Sequence, residues 1–132
     1  MARLQEKVCV VTGATSGIGL QTAKVFVQEG ASVVIAGRRE ALGKQIANEL
    51  GAACEFRQTD VTDEAQVKAL IDFTVGKHGR VDCLFNNAGG PAPVGGIETI
   101  PAEGFDAAMA VLFRSVMLGM KHAAPIMLRQ GS

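Results

Sequence analysis

The most constraining feature of this chain is the segment Thr12-Gly-Ala-Thr-Ser-Gly-Ile-Gly19, which follows the short apolar run of residues 8–11. A continuous apolar run of this length is typical of a strand that is buried on both faces. Over residues 17–28, apolar side chains recur at helical spacing, and Gly30 can end that helix. The segment therefore predicts a strand, a glycine-rich turn and a helix in direct succession.

The rest of the chain repeats this alternation. Further apolar runs predict strands over residues 32–36, 53–58 and 81–86, and helical spacing predicts helices over residues 39–50, 62–79 and 102–127. Thr62 is expected to cap the third helix, with Asp63 and Glu64 in its first turn. Strands that are apolar on both faces and alternate with helices predict an α/β fold, a Rossmann-type doubly wound parallel sheet. With about four strands and four helices in one domain over residues 1–132, this sheet is expected to be incomplete.

Charge and hydropathy narrow the class of protein. Thirteen basic and thirteen acidic residues cancel, so no net field draws the chain to nucleic acid or to an anionic membrane. The longest uninterrupted apolar run, residues 107–113, is far shorter than the ~20 residues that span a bilayer. We therefore expect a soluble protein with no nucleic-acid partner and no membrane partner.

The three cysteines, Cys9, Cys54 and Cys83, are too few and too scattered for a disulfide framework or a zinc site. Each lies in an apolar, strand-like run, where cysteine acts as a small hydrophobic residue. They predict reduced thiols in a cytoplasmic protein and no metal centre.

The glycines of the first turn, Gly13, Gly17 and Gly19, favour a phosphate-binding role. Glycine permits positive φ and lets the backbone approach a diphosphate, and the N–H groups that open the following helix point at such a ligand. The Thr15 and Ser16 hydroxyls can add donors, whereas the lysine of a P-loop is missing. The alternative is a glycine turn that only lets the helix and strand pack closely.

The end of the second strand indicates which dinucleotide would bind. Between Glu29 and Glu40 there is no acidic residue to accept from a ribose 2′-hydroxyl, but Arg38 and Arg39 follow Gly37. Guanidinium groups form paired, charge-assisted bonds to phosphate, which favours NADP, with NAD possible. The alternative is that both arginines only solvate the start of a helix.

Three motifs together, the glycine turn, Asp60-Val61 and Asn86-Asn-Ala-Gly89, resemble the short-chain dehydrogenase/reductase family over essentially the whole chain. The resemblance implies an NAD(P)-dependent oxidoreductase that acts on a small carbonyl or alcohol substrate. It implies that Asp60 and Val61 contact adenine, that residues 87–89 lie near the riboses, and that Asn86 braces the sheet. Singly, Asp60 could instead start a helix and Asn86-Asn87 close a strand. The predicted cofactor site is Gly13, Thr15, Ser16, Gly17, Ile18, Gly19, Arg38, Arg39, Asp60, Val61, Asn87, Ala88 and Gly89.

Two departures from the family concern catalysis. The family uses a Ser and a Tyr-x-x-x-Lys, but this chain contains no tyrosine and ends at Ser132, where the family would begin its fifth strand. Leu112 also stands where the family places a catalytic Asn. We therefore expect a cofactor-binding part without catalytic residues; a dinucleotide-sensing module and an inactive assembly fragment are alternatives. His78, expected at a helix end, and His122, expected at the surface, are not predicted to replace the missing groups.

The last helix is predicted to be apolar on two sides. One stripe comprises Phe105, Met109, Leu112, Phe113, Val116, Met120, Ala123 and Met127, and a second face comprises Ala108, Val111 and Leu118. A helix of this kind must be buried against its sheet and, on the other side, against another subunit or the missing half of the fold, and the strand around Cys83 is expected to be an unpaired edge. The pattern predicts a homo-oligomer that associates through helix 102–127, a common interface in the family it resembles.

Overall fold

Four parallel strands form the centre of the molecule, in a computed structural model that describes residues 2–132. The strands are β1 (Val8–Thr12), β2 (Ser32–Gly37), β3 (Cys54–Gln58) and β4 (Cys83–Phe85). Their order in the sheet is β3-β2-β1-β4, so β3 and β4 are the edge strands of the described sheet. The predicted α/β class, parallel pairing and four-strand count are confirmed.

The helices connect and flank these strands. They are α1 (Gly17–Gln28), α2 (Glu40–Leu50), α3 (Glu64–His78), α4 (Ala102–Met109) and α5 (Ser115–Gln130). A π-helical turn, Ala110–Arg114, joins α4 to α5 without a break. The predicted helix over residues 102–127 is therefore one long helix that reaches Gln130 and contains a π turn.

The core lies on both faces of β1 and β2. On one face, β1 and β2 residues such as Val11 and Ile35 pack with Ala23 of α1 and Ile46 of α2. On the other face, Val10 and Val34 pack with Leu70 of α3. Since β1 is buried along its whole length, the polar side chain at its end, Thr12, is held inside the protein.

Two predicted helix starts are wrong by one residue. Asp63, not Thr62, is the N-cap of α3, because its carboxylate accepts from the Ala65 N–H at 2.9 Å. The Thr62 hydroxyl is engaged elsewhere, since it donates to Asp60 Oδ1 at 2.7 Å. Helix α2 begins at Glu40, and Arg39 is its N-cap residue rather than its first helical residue.

Of the stripe predicted along the long helix, Phe105, Met109, Leu112, Phe113 and Met120 lie exposed on one face, whereas Val116 and Met127 are partly buried and Ala123 is buried. After the π turn, Ser115, Leu118, Gly119 and Ala123 face the interior, so Ala123 belongs to the buried side. A π turn holds more residues per turn than an α-helix, so it rotates the later residues relative to an uninterrupted 3.6-residue repeat. The exposed apolar face consists of Phe105, Met109, Leu112, Phe113, Met117, Met120 and Leu128.

Helix Ala102–Gln130 has the length and composition that could cross a membrane. Its most apolar 18-residue stretch has a mean hydropathy of 1.2, and 22% of that stretch is buried. Its sequence contains no long uninterrupted apolar run, because charged and small residues interrupt the apolar ones. Core helices of soluble proteins meet the same criterion, and this helix packs against α3 and β4.

Candidate functional site

A cavity of about 600 Å³ opens at the carboxyl ends of the strands. In open α/β sheets, ligands bind at this edge. All of the predicted site residues except Gly17 and Gly19 line the cavity. Sequence analysis missed three lining residues, Gly37, Thr59 and Val111. Gly37 and Thr59 could have been inferred, since Gly37 ends β2 and Thr59 follows β3 at the same edge. Val111 could not, because it lies on a helix distant in sequence.

Positive φ angles and close packing explain the glycines of the first turn. Gly13 and Gly17 have φ angles of 61° and 57°. A Cβ at Gly13 would lie 2.8 Å from Ala88 Cα, so this glycine also permits contact with the end of β4. A Cβ at Gly17 would meet no protein atom within 4 Å, so the backbone there is open to a ligand.

Gly19 serves the packing of the turn rather than the cavity surface. It is buried, and a Cβ there would come 2.5 Å from Asn87 Nδ2 and would overlap the Gly13 carbonyl. The close-packing alternative therefore describes Gly19, while Gly13 and Gly17 have the conformations expected of a tight turn.

The sheet edge is braced by Asn87, not by Asn86 as the resemblance implied. Asn87 Nδ2 donates to the carbonyls of Thr12 and Gly13, each at 3.2 Å. The Asn86 carboxamide instead lies over Gly119 of α5, where a Cβ would overlap its Oδ1. Asn87 thus fixes the glycine turn to the end of β4 and also lines the cavity.

Thr12 completes this brace. Its Oγ1 accepts from the Asn87 and Ala88 N–H groups, both at 3.0 Å, and donates to the Phe85 carbonyl at 3.4 Å. Two backbone donors at the end of β4 are thus satisfied by one buried hydroxyl. Sequence analysis did not single out Thr12; the available signal was a hydroxyl at the end of an otherwise apolar buried strand.

The N-terminus of α1 opens onto the cavity. Its N-cap residue, Ser16, makes no side-chain capping hydrogen bond, and the first turn holds no acidic residue. The first N–H groups of a helix have no partner within the helix, and they carry the positive end of its dipole. This arrangement suits an anion such as a phosphate.

Two arginines and a glycine form the β2 side of the cavity. The Arg39 guanidinium donates to Thr15 Oγ1 at 3.2 Å, which links it to the glycine turn. Arg38 is held through its backbone, because its carbonyl accepts from Gln58 Nε2 at 3.2 Å. A Cβ at Gly37 would lie 2.9 Å from Thr15 Cγ2, so this position has little room for a side chain.

Asp60 is an ionised carboxylate on the β3 side. Hydrogen bonds from the Thr62 hydroxyl and N–H, together with the charge of Arg38, hold the pKa of Asp60 below its usual value. Both Thr62 donors use Oδ1, at 2.7 and 2.9 Å, which leaves Oδ2 available to accept from a ligand. Asp60 therefore combines a turn-forming role with an acceptor at the cavity.

The long helix holds this turn in place. Arg114 Nη1 donates to the Thr62 carbonyl at 2.8 Å. Lys121 Nζ and His122 Nε2 lie 2.6 and 3.0 Å from Glu64 Oε1. His122 is thus not a surface residue, since its side chain is 16% exposed and pairs with Glu64 between α3 and α5.

His78 ends α3, as predicted, and its Nε2 lies 3.1 Å from Glu55 Oε1. Neither His78 nor His122 lines the cavity.

The opposite end of the cavity is apolar. Val111 lines it, and a Cβ at Gly89 would lie 3.6 Å from Leu112 Cδ2. Leu112 is thus next to the last residue of the Asn-Asn-Ala-Gly motif and presents a methyl group there. Within residues 2–132, no group of three or more His, Cys, Asp or Glu side chains is placed to hold a metal ion.

Comparison with known proteins gives the same family for sequence and fold. The family model described as short chain dehydrogenase matches residues 7–132. Short-chain dehydrogenase reductase 5 of Arabidopsis thaliana is 42% identical over 131 residues, which are 98% of this chain and 51% of the plant protein. (+)-Borneol dehydrogenase 1 of Salvia officinalis is 43% identical over 132 residues, 95% of this chain and 48% of that protein. The chain thus spans about half the length of these relatives.

A solved structure shows the same fold. The 3-ketoacyl-(acyl-carrier-protein) reductase of Brucella melitensis, crystallised with NADH, superposes with a TM-score of 0.93 at 37% identity, covering 97% of this chain and 52% of the reductase. The glycine turn, the braced strand ends and these matches lead to one conclusion: this chain belongs to the short-chain dehydrogenase/reductase family of oxidoreductases.

Proposed function

We propose that this chain binds a nicotinamide dinucleotide, with NADP preferred over NAD, as the cofactor-binding part of a carbonyl or alcohol oxidoreductase. One observation carries the proposal. The uncapped N-terminus of α1, at Ser16, lies at one cavity with Arg38, Asp60 and the 87–89 segment. The similar Brucella reductase was crystallised with NADH.

The residues around the cavity offer a partner for each part of a dinucleotide. The N–H groups at the start of α1 would hold the diphosphate, with the Thr15 and Ser16 hydroxyls beside it. Asp60 Oδ2 would accept from the adenine amino group, and Val61 would contact the ring. Residues 87–89 would lie at the riboses. Once bound, the nicotinamide supplies hydride transfer to or from a carbonyl carbon.

The preference for NADP follows from the β2 side. A carboxylate that accepts from a ribose 2′-hydroxyl is absent at Gly37, and Thr15 limits the space for one. The guanidinium of Arg38 makes no hydrogen bond among residues 2–132, so it is free to pair with a 2′-phosphate. Arg39, already turned towards Thr15, would support the same group.

We propose that these 132 residues bind the dinucleotide without turning over substrate. They contain no tyrosine to act as the family's acid/base, and Leu112 cannot hold the water that an Asn would hold. A dinucleotide sensor would behave in the same way, whereas an assembly fragment would bind nothing. We further propose that the protein is soluble and cytoplasmic.

Calorimetric titration with NADP and with NAD tests the proposal. We expect tighter binding of NADP, and Arg38→Gln should weaken NADP binding about tenfold while leaving NAD nearly unchanged, because a charge-assisted hydrogen bond contributes about 1.5–3 kcal/mol. Arg129→Gln, in the last turn of α5 and away from the cavity, is the matched control. If neither dinucleotide binds, the assembly fragment is the correct interpretation; equal binding of both removes the NADP preference.

We also propose that the exposed apolar face of the long helix is covered by a second copy of this chain. Seven large apolar side chains lie exposed on this one helix, including Phe113 at 68% and Met120 at 60%. An apolar face this continuous is typical of an interface. Sedimentation velocity should show a dimer or larger species that Phe113→Glu converts to a monomer, whereas a monomeric parent protein would refute the interface.

A further inference from the structure

Cys9 and Cys83 are partners on neighbouring strands. Cys9 of β1 is paired in register with Cys83 of β4. Both belong to the same side-chain cluster, with Val11 and Ile35, so both thiols lie on the same face of the sheet. Cys9 is 1% exposed, while Cys83 is partly exposed on the edge strand of the described sheet.

This placement is compatible with a bond between the two sulfur atoms. Adjacent strands lie about 4.8 Å apart, and a disulfide needs Cα atoms roughly 4.4–6.8 Å apart with side chains directed towards each other. A register pair meets the condition on the Cα separation, and the two side chains project side by side from one face of the sheet, so rotation about χ1 is needed to bring the sulfur atoms together. Cys54, by contrast, lies on β3, separated from β1 by β2, and cannot reach either partner.

The two thiols also have different acidities. The neighbouring neutral thiol of Cys9 stabilises the thiolate of Cys83 and lowers the pKa of Cys83 to about 7. The adjacent Cys83 thiolate and burial raise the pKa of Cys9, which therefore keeps its proton. Burial raises the pKa of Cys54 to about 11. A thiolate is the reactive form of cysteine, so Cys83 is the nucleophile of the three.

We propose that Cys9 and Cys83 form an oxidation site at which a hydroperoxide converts the two thiols into a disulfide. The Cys83 thiolate attacks one peroxide oxygen, the O–O bond breaks, and a sulfenic acid and hydroxide form. The Cys9 sulfur then attacks the Cys83 sulfur, the S–O bond breaks, and the departing hydroxide takes up the Cys9 proton as water. In sum, two thiols lose two electrons and two protons, and hydrogen peroxide becomes two waters.

The site is independent of the dinucleotide cavity, since neither cysteine lines it. All three cysteines are free thiols, as the sequence predicts, and the proposal goes beyond an interpretation in which each cysteine was considered alone. Positions 9 and 83 are 74 residues apart, and only the pairing of β1 with β4 brings them together.

Treatment of the folded chain with hydrogen peroxide, followed by alkylation and mass spectrometry, tests the proposal. We expect a loss of about 2 Da through removal of two hydrogens, a linked Cys9–Cys83 peptide, and a Cys54 thiol that is still alkylated. The oxidation rate should rise with pH through about 7, the pKa of Cys83.

Two variants test the separate roles of the cysteines in this oxidation. Cys54→Ser is the matched control and should form the same disulfide at the same rate. Cys9→Ser should stop at a Cys83 sulfenic acid that dimedone traps, with circular dichroism as the check on folding. Oxidation of Cys54 as fast as Cys83, disulfides only between chains, or no linked peptide in the parent protein would each overturn the proposal, and these outcomes need no variant.

Discussion

The glycine turn and the long helix differ in whether their side chains find contacts within the chain. At the turn, the packing contacts are made within the chain: Gly19 packs on the Gly13 carbonyl, and Thr12 and Asn87 join the ends of β1 and β4. Along the long helix, Leu118 is buried, but Phe113 and Leu128 are exposed. The comparison teaches that the turn is held in its conformation by contacts within the chain, whereas one face of the helix has no such contacts among residues 2–132 and is available to another surface.

The largest expected effect is at the turn. Gly19→Ala places a Cβ against the Gly13 carbonyl and the Asn87 carboxamide, and neither can move without breaking the brace. We expect a loss of about 4 kcal/mol or more in the free energy of unfolding, and loss of dinucleotide binding. Gly76→Ala is the control: Gly76 lies in α3 with open space around it, so alanine there should stabilise by about 0.5–1 kcal/mol. Urea denaturation of both variants measures the difference, and similar effects in the two would mean that the turn is not tightly packed.

A pair of leucines tests the two sides of the long helix directly. Leu118 is 1% exposed and Leu128 is 81% exposed, and both lie in α5. Leu118→Ala should cost about 3 kcal/mol, because a buried side chain is lost and a cavity remains. Leu128→Ala should change the free energy of unfolding of the monomer by less than about 0.5 kcal/mol. Thermal or urea unfolding at low protein concentration compares them; a large cost at Leu128 would show that this end of the helix is already covered within the chain.

Thr12→Val tests how much the hydrogen bonds to the Thr12 hydroxyl contribute to stability. Valine matches threonine in shape but has no acceptor, so the Asn87 and Ala88 N–H groups lose their partner in a largely buried site. Leaving buried donors unsatisfied should cost about 2 kcal/mol, and dinucleotide binding should weaken because residues 87–88 line the cavity. Thr99→Val, in the exposed loop before α4, is the control and should change neither property. Unchanged stability of Thr12→Val would mean that these donors find water instead.

The contact between the first residue of β1 and the segment just before β4 should contribute less to stability at low pH. The Asp82 carboxylate, with an 8% exposed side chain, accepts from the Val8 N–H at 2.9 Å and from Arg80 Nε at 2.8 Å. The Arg80 guanidinium holds the pKa of Asp82 below its usual value. The stabilisation is therefore present above the unfolded pKa of about 3.9 and is lost as pH falls through the lower folded value.

Asp82→Asn should cost about 1.5 kcal/mol at pH 7, and its difference from the parent protein should shrink as pH falls below about 4. Unfolding by urea between pH 2.5 and 7 measures this. Asp72→Asn, which removes an exposed partner of Lys68, should show little difference at any pH. A difference at Asp82 that stays constant down to the lowest pH would contradict the ionic contribution.

Much of the fold could be predicted from local patterns. The apolar run of β1, the glycine spacing of the first turn and the αL glycine that ends α3 each depend on neighbours a few residues away. What could not be predicted depended on contacts between distant residues. Thr12 meets Asn87 across 75 positions, and His122 meets Glu64 across 58. No local pattern distinguishes Asn87 from Asn86, since the choice of brace depends on which side chain faces β1.

By itself, the sequence determined the alternation of strands and helices and the glycine turn, because apolar periodicity and backbone freedom are local properties. Most residues that surround the cavity were indicated by these patterns together with the resemblance to a family. Only the tertiary structure decided that Asn87 braces the turn, that a π turn shifts the buried face of the long helix, and that Cys9 meets Cys83. These features depend on strand pairing and on helix rotation, and both are set by how distant segments pack.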